Sequence, residues 1–204
     1  MHGASAVAQV PNRIEKVFLN DSLSPTGIYG CQMYALGVPV TVTVDDVIPL
    51  NEEGHAVFAD VGPDQALWPL VLEKCFAKLS GNYEAIVAGN AENSIRALNG
   101  SPAEQFEHTS SMRNGSDPNA VDTLWSEITA AIAAQNMVSA STPGNSNSGR
   151  TASNLAQNHV YTVLDSFVAE SNGQRLLRIR NPWGREYYDG PYADNDTANW
   201  DTDL

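Results

Sequence analysis

The chain has 204 residues, 42% of them hydrophobic and 17% charged, which is enough for a folded protein with one large or two small domains. Its formal net charge of −13 disfavours nucleic acid or an anionic membrane surface as a partner, because both are bound through clustered lysine and arginine. No apolar run reaches the ~18 residues of a membrane-spanning helix. We therefore expect no membrane span. The small, apolar start is also a poor signal peptide, because it has no basic segment and no long apolar segment.

The two cysteines, Cys31 and Cys75, predict neither a metal site nor a disulfide framework, because their spacing fits neither. We expect Cys75 to be a buried helix residue and Cys31 to lie in a strand, both of them chemically inert. Unpaired thiols are typical of a reducing compartment, so the expected location is cytoplasmic and intracellular.

The first half of the chain predicts helices and a β-hairpin. Apolar residues at helical spacing over 4–19 predict a helix that is broken or kinked at Pro11. Segments 27–35 and 38–44 predict two strands, since valines alternate along the second. Segment 67–79 predicts an amphipathic helix with proline in its first turn.

The second half of the chain predicts one helix and two strands. The helix is expected over about 123–136, with Asp122 as its N-cap. Segment 139–154 is a low-complexity polar stretch and predicts a mobile loop. Strands are predicted over 159–168 and 174–180, joined by a Glu-Ser-Asn-Gly turn that is a strong hairpin signal.

The domain boundary is expected within residues 89–118, which are rich in Gly, Asn, Ser and Pro. We place it so that a first subdomain covers 1–106 and a second covers 107–204. A helical first half and a strand-rich second half predict an α+β architecture, with an antiparallel sheet in the second subdomain.

The residues that suggest chemistry are His159, at the start of one predicted strand, and Asn181, at the end of the next. A hairpin places such strand ends side by side, so both side chains can meet at one edge of a sheet. This pair suits a cysteine protease, because the imidazole takes the thiol proton while the Asn carbonyl accepts the other ring N–H. Pro182 ends the strand, and Trp183 is expected to shield the His–Asn hydrogen bond from water.

The alternative is an ordinary histidine at a strand start and an ordinary asparagine in a turn. For His159 alone we would prefer that interpretation. The segment Arg-Asn-Pro-Trp-Gly at 180–184 reverses the preference.

Several motifs in a fixed order resemble those of the calpain family of papain-like cysteine peptidases. In this sequence they are Val-Asp-Asp-Val-Ile-Pro at 44–49, the Trp-containing helix at 67–78, His-Val-Tyr-Thr-Val at 159–163, Arg-Asn-Pro-Trp-Gly at 180–184 and Gly-Pro-Tyr-Ala-Asp at 190–194. The resemblance implies a papain-like protease fold and an endopeptidase that cuts extended protein or peptide substrates in a cleft between subdomains. It implies His159 as general base and then acid, with Asn181 as the residue that orients it.

The sequence departs from the family pattern at the nucleophile. In the family a cysteine in a Gly-Asp-Cys-like motif opens a helix, and by alignment that cysteine would fall just before Met1. Neither Cys31 nor Cys75 matches the motif, and Asn158 stands where the family has glycine before the histidine. We therefore expect a core truncated at both ends and, as given, inactive.

Two functions remain open on this basis. The first is a calpain-type cysteine endopeptidase core whose nucleophile lies upstream of this sequence. The second is a non-catalytic calpain-like pseudoprotease, or scaffold, that binds protein partners. The coding sequence upstream of Met1 would separate them.

Calcium is the one cofactor that the resemblance suggests, because animal calpains bind Ca²⁺ in each core subdomain. In the first subdomain, an acidic ligand aligns with Ala66, which has no side-chain oxygen. In the second, Asp194 aligns with one acidic ligand and Tyr187 with another, although Glu186 is adjacent. Asp194 is therefore the candidate ligand of an incomplete set whose other members would lie beyond Leu204. A solvated acidic tail is the preferred alternative.

Overall fold

The computed structural model describes residues 2–10, 12–61 and 65–200. The chain divides into two compact units, residues 1–108 and 109–204. Helices and antiparallel sheets occur in both units, so the predicted α+β class is confirmed. Across the described residues, the structure contains no helix that is both long enough and apolar enough to span a membrane.

The first unit is built on a β-hairpin with helices packed against it. Its strands pair in antiparallel register, from Ile28 opposite Asp45 to Ala35 opposite Val38, and both strand predictions are confirmed. The turn needs Gly37, whose φ of 81° lies in the left-handed region. The elements are α1 (His2–Ala8), a 3₁₀ turn (Glu15–Val17), β1 (Ile28–Ala35), β2 (Val38–Asp45), α2 (Trp68–Ser80), a second 3₁₀ turn (Glu84–Ile86) and α3 (Ala91–Asn99).

The helix predicted over 67–79 is confirmed as α2, which buries one face against the hairpin. Its lysines extend to the end of β2, where Lys74 pairs with Asp45 and Lys78 donates to the Thr43 carbonyl at 2.6 Å. Part of the core of the first unit lies between α2 and the sheet, and buried residues of α1 and α3 form another part. The buried residues of α2 are Leu70, Val71, Leu72, Glu73, Cys75 and Ala77.

Two predictions in the first unit are corrected. The helix expected over 4–19 ends at Ala8 as α1, and a 3₁₀ turn follows; the expected break at Pro11 lies outside the described residues. Segment 89–118, taken as an irregular boundary, contains α3. That helix packs on α1 and β1 and buries only Ile95 and Leu98, so its polar composition concealed its periodicity.

The second unit packs helices beside an antiparallel sheet of order β3-β4-β5. The strands predicted over 159–168 and 174–180 are confirmed as β4 and β5, with Thr162 opposite Arg180 and Val168 opposite Arg175. The elements are α4 (Ser110–Arg113), α5 (Pro118–Ala133), β3 (Val138–Ser141), β4 (Val160–Val168) and β5 (Arg175–Arg180).

Two boundaries in the second unit also differ from prediction. Helix α5 begins at Pro118, because the Asp117 carboxylate caps it by accepting from the Ala120 N–H at 3.0 Å. Asp122, the predicted cap, lies inside the helix and forms an ion pair with Arg175 at 2.7 Å. The first residues of the predicted polar loop form β3, where tertiary pairing with β4 outweighs the weak strand propensity of Ser and Ala.

Candidate active site

The two predicted site residues lie at neighbouring strand ends in the second unit. β4 begins directly after His159, and β5 ends directly before Asn181. Since Arg180 pairs with Thr162, the antiparallel register carries Asn181 to the edge of the sheet where His159 lies. The side chains meet there, with His159 Nε2 2.9 Å from Asn181 Oδ1.

The backbone of His159 is held by Thr142, from the other side of a long polar loop. The His159 N–H donates to Thr142 Oγ1 at 3.1 Å, and the Thr142 N–H donates to the His159 carbonyl at 2.9 Å. The Thr142 hydroxyl also donates to the Ala156 carbonyl at 2.6 Å. Asn158 has a φ of 47°, a left-handed conformation that asparagine tolerates better than most residues, which explains how it can occupy a glycine position.

The hydrogen bonds of Asn181 fix which imidazole nitrogen carries the proton. Its Nδ2 donates to the Arg185 carbonyl at 2.8 Å, and its Oδ1 accepts from the Trp183 N–H at 3.0 Å. With the amide oriented in this way, Oδ1 can only accept from His159, so Nε2 is the donor. The lone pair of the neutral ring then lies on Nδ1, which receives no hydrogen bond from the described residues.

Aromatic rings enclose the His–Asn hydrogen bond. The Trp183 ring centroid lies 4.0 Å from that of His159, and the Tyr161 ring meets the imidazole edge-on at 4.9 Å. Tyr161 is itself held in place, because its hydroxyl accepts from the Ala156 N–H at 2.9 Å. His159 is 9% exposed, so the bond lies in a poorly solvated environment that strengthens it. Trp183, 42% exposed, forms the outer wall, and the predicted shielding role fits this geometry.

Sequence reasoning missed Thr142 and Tyr161. Tyr161 could have been found, because side chains two residues apart on a strand share a face and it follows His159 at that spacing. Thr142 left no such signal, since it lies 17 positions before the histidine that it supports, at the far end of a polar loop.

Both cysteines lie in the first unit and are fully buried, which confirms the prediction made for Cys75. Cys31 pairs with Val42 across the hairpin, and the Cys75 thiol donates to the Val42 carbonyl at 3.7 Å. Each is 0% exposed. A hydrogen bond with Cys75, together with burial, raises the pKa of the Cys31 thiol, so it stays protonated. Neither thiol is placed to act as an accessible nucleophile.

The acidic tail, where the resemblance suggested a calcium ligand, is organised around a different carboxylate. Asp194, the candidate ligand, is exposed. Asp196 instead accepts from the Asn199 side-chain amide at 2.6 Å and the Tyr192 N–H at 2.8 Å, which lowers the pKa of its carboxyl. This carboxylate serves to hold a turn.

The residues present do not fit a calcium site in the described part of the second unit. Tyr187 offers no carboxylate, and the guanidinium of Arg150 lies 4.5 Å from its ring centroid. Throughout residues 2–10, 12–61 and 65–200, no group of three or more His, Cys, Asp or Glu side chains is arranged to hold a metal ion. Calcium chemistry therefore enters no step proposed below.

The sequence was compared with protein families and with known proteins. Residues 1–203 match the profile of the calpain family cysteine proteases. The chain is 32% identical over 193 residues to the calpain-type cysteine protease DEK1 of Zea mays, covering 94% of this chain and 9% of that protein. It is 31% identical over 181 residues to the calpain-2 catalytic subunit of Homo sapiens, covering 86% and 24% respectively.

The match to calpain-7 of Mus musculus is weaker, 27% over 181 residues, and covers 89% of this chain and 22% of that protein. The chain thus spans about a tenth to a quarter of the length of these relatives. The matched family and the mixture of helices with antiparallel sheets agree with the papain-like protease core that the motifs suggested. The chain belongs to the calpain family of cysteine proteases.

Proposed function

We propose that His159 and Asn181 are two members of a Cys/His/Asn triad in an endopeptidase core that hydrolyses protein substrates. The observation that supports this is the 2.9 Å contact between Nε2 and Oδ1, within an amide network that leaves Nδ1 as the basic nitrogen. A base whose other nitrogen is held by a third group is the arrangement that nucleophilic catalysis requires.

In the proposed reaction, His159 Nδ1 removes the proton of a cysteine thiol, and the thiolate sulfur attacks the carbonyl carbon of the peptide bond. The imidazolium then donates that proton to the amine nitrogen as the C–N bond breaks, leaving a thioester. Nδ1 next takes a proton from water as the water oxygen attacks the thioester carbon; the C–S bond then breaks, the imidazolium returns the proton to the sulfur, and the carboxylic acid is released. Throughout, Asn181 keeps the ring oriented by accepting from Nε2.

We also propose that the 204-residue chain does not itself cleave peptides. Both of its thiols, Cys31 and Cys75, are fully buried, so neither can reach a substrate carbonyl without unfolding the hairpin core. Loss of one triad member removes nearly all of the covalent rate advantage.

The remaining parts of the proposal rest on the family. Substrates would be proteins or peptides bound in extended form, and residues 1–106 and 107–204 would be the two subdomains of the catalytic core. A cytoplasmic location is consistent with two buried, unpaired thiols.

The test compares casein cleavage by the 204-residue chain with cleavage by the full product of the coding sequence. The chain alone should be inactive. The full product should be active and blocked by thiol alkylation, and His159→Ala should lower kcat/KM by about 10³-fold or more, because the base and the nucleophile act as a unit. His55→Ala is the matched control, since His55 is an exposed histidine in the first unit.

Two results would contradict the proposal. Thiol-dependent cleavage by the 204-residue chain, abolished by His159→Ala, would refute its inactivity. A full product whose upstream sequence contains no Gly-Asp-Cys-like motif, and which cleaves nothing, would favour the non-catalytic scaffold.

A further inference from the structure

A cationic side chain from the polar loop lies close to the candidate active site. Arg150 Nη1 donates to three consecutive loop carbonyls, those of Asn147 at 3.1 Å, Ser148 at 3.3 Å and Gly149 at 3.0 Å. The same guanidinium lies over the Tyr187 ring, 4.5 Å from its centroid. One side chain therefore ties the loop before His159 to the segment that follows Asn181.

The Tyr187 ring continues this connection to the catalytic pair. It meets Trp183 edge-on, with centroids 6.4 Å apart and planes at 86°. Trp183 in turn packs on the His159 ring at 4.0 Å. Arg150 lies within cation–π distance of Tyr187, Tyr187 meets Trp183 in the edge-to-face geometry that aromatic pairs favour, and Trp183 lies on the imidazole at a tilt of 40°. The three side chains therefore form a continuous series of packed groups ending at the imidazole.

This arrangement conflicts with a metal ion at the same place. Tyr187 aligns with an acidic calcium ligand of the family, but its ring here faces a guanidinium. A fixed positive charge repels a second cation, and the nearby loop carbonyls already accept from Arg150. The positive charge beside Tyr187 is therefore the guanidinium of Arg150.

We propose that Arg150 is a positioning residue: through Tyr187 it holds Trp183 over the His159–Asn181 pair, and it does so without calcium. The inference rests on the proposed catalytic role of that pair, although it concerns only how the pair is held. Arg150 touches no reacting atom and acts through the two rings.

The test uses NMR of the 204-residue chain, because ring packing can be read without any nucleophile. Wild type should show cross-relaxation between the Trp183 and His159 ring protons. Arg150→Met and Tyr187→Leu should both lose these signals and speed solvent exchange of the His159 Nε2 proton. Tyr187→Phe keeps the ring and Arg178→Met removes an exposed charge of β5 that lies outside the series, so both should behave as wild type.

Arg150→Met and Tyr187→Leu remove different sets of contacts. Arg150→Met also removes the hydrogen bonds to the loop carbonyls, so amide spectra of β3–β5 should first confirm that the sheet is intact. Tyr187→Leu leaves those hydrogen bonds in place and still breaks the series of rings. If either variant folds and retains the Trp183–His159 signals, the positioning role is wrong.

Calcium provides a second, independent arm. Adding Ca²⁺ to the wild-type chain should leave the Trp183 and His159 resonances unmoved, and a chelator should likewise have no effect. A calcium-induced shift that a chelator reverses would overturn the inference. None of these measurements depends on peptide cleavage. A failure of the positioning role can therefore be distinguished from a failure of the proposed protease activity.

Discussion

The motif alignment pointed to two sites in the second unit, the His159–Asn181 pair and the candidate calcium site at Tyr187 and Asp194. Their surroundings in the structure differ. At His159 and Asn181 each polar atom of the amide has a partner, and the Trp183 and Tyr161 rings pack against the imidazole. At Tyr187 and Asp194 one carboxylate is missing, the other is exposed and a guanidinium lies over the tyrosine ring. Motif matching alone gave both sites; the surrounding contacts support only the first.

The largest expected effect is that of Asn181→Ala. It removes the acceptor for both the His159 Nε2–H and the Trp183 N–H, so the ring loses its fixed orientation. We expect kcat/KM of the full product to fall by about 10²–10⁴-fold, the range contributed by a positioned acid–base group.

The matched change at the other place is Asp194→Asn, which removes the exposed carboxylate of the candidate calcium ligand. We expect kcat/KM and its response to added calcium to stay as in wild type. A loss of activity in Asp194→Asn comparable to that in Asn181→Ala would erase the distinction between the two places.

A smaller effect is expected when Trp183 is substituted. This change tests the contact of the ring with His159 separately from the hydrogen bond that the Trp183 backbone donates to Asn181. Trp183→Ala removes the ring from His159 but keeps the backbone N–H that donates to Asn181, so the free energy of unfolding should fall by about 1 kcal/mol. Trp183→Phe retains an aromatic face and should recover part of that loss. Chemical denaturation of the 204-residue chain measures both, and equal stability of the Ala and Phe variants would argue against the ring contact.

The smallest expected effect concerns pH at Asp196. Its hydrogen bonds from Asn199 and Tyr192 lower the pKa of this carboxyl from its ordinary 3.8. A lowered folded-state pKa means that the stabilisation is present above the ordinary value and is lost as the pH falls through the folded-state value.

The amide resonance of Tyr192 should therefore shift in acid below the ordinary Asp range, and Asp196→Asn should abolish that titration. A Tyr192 amide that titrates at the ordinary Asp value, or not at all, would show that the carboxylate does not hold the turn.

The parts predictable from sequence were those with a local pattern. Alternating valines gave β2, and a histidine and an asparagine at the ends of one hairpin gave the site, because strand pairing is determined over short distances. The helix α3 was missed since only Ile95 and Leu98 mark its buried face. Asp117 was overlooked as a cap although Asp-Pro is a recognisable helix start.

The supporting contacts of the site were not predictable in the same way. Thr142 bonds to His159 across the polar loop, and the Arg150 guanidinium lies over Tyr187 in the segment after Asn181. Nothing local to Thr142 or Arg150 indicates either contact. Composition alone made that loop seem featureless. Its hydrogen bonds to His159 and its cation over Tyr187 arise only when the sheet has brought distant segments together.

The most direct test of the account is whether His159 Nε2 donates to Asn181 in solution. In ¹⁵N-histidine NMR of the 204-residue chain at alkaline pH, we predict a slowly exchanging proton on His159 Nε2, a bare Nδ1, and loss of the protected proton in Asn181→Ala. The exposed His55 should show no such protection in either protein. A proton resident on Nδ1 of His159, or an Nε2 proton that exchanges as fast as that of His55, would contradict the proposed active site.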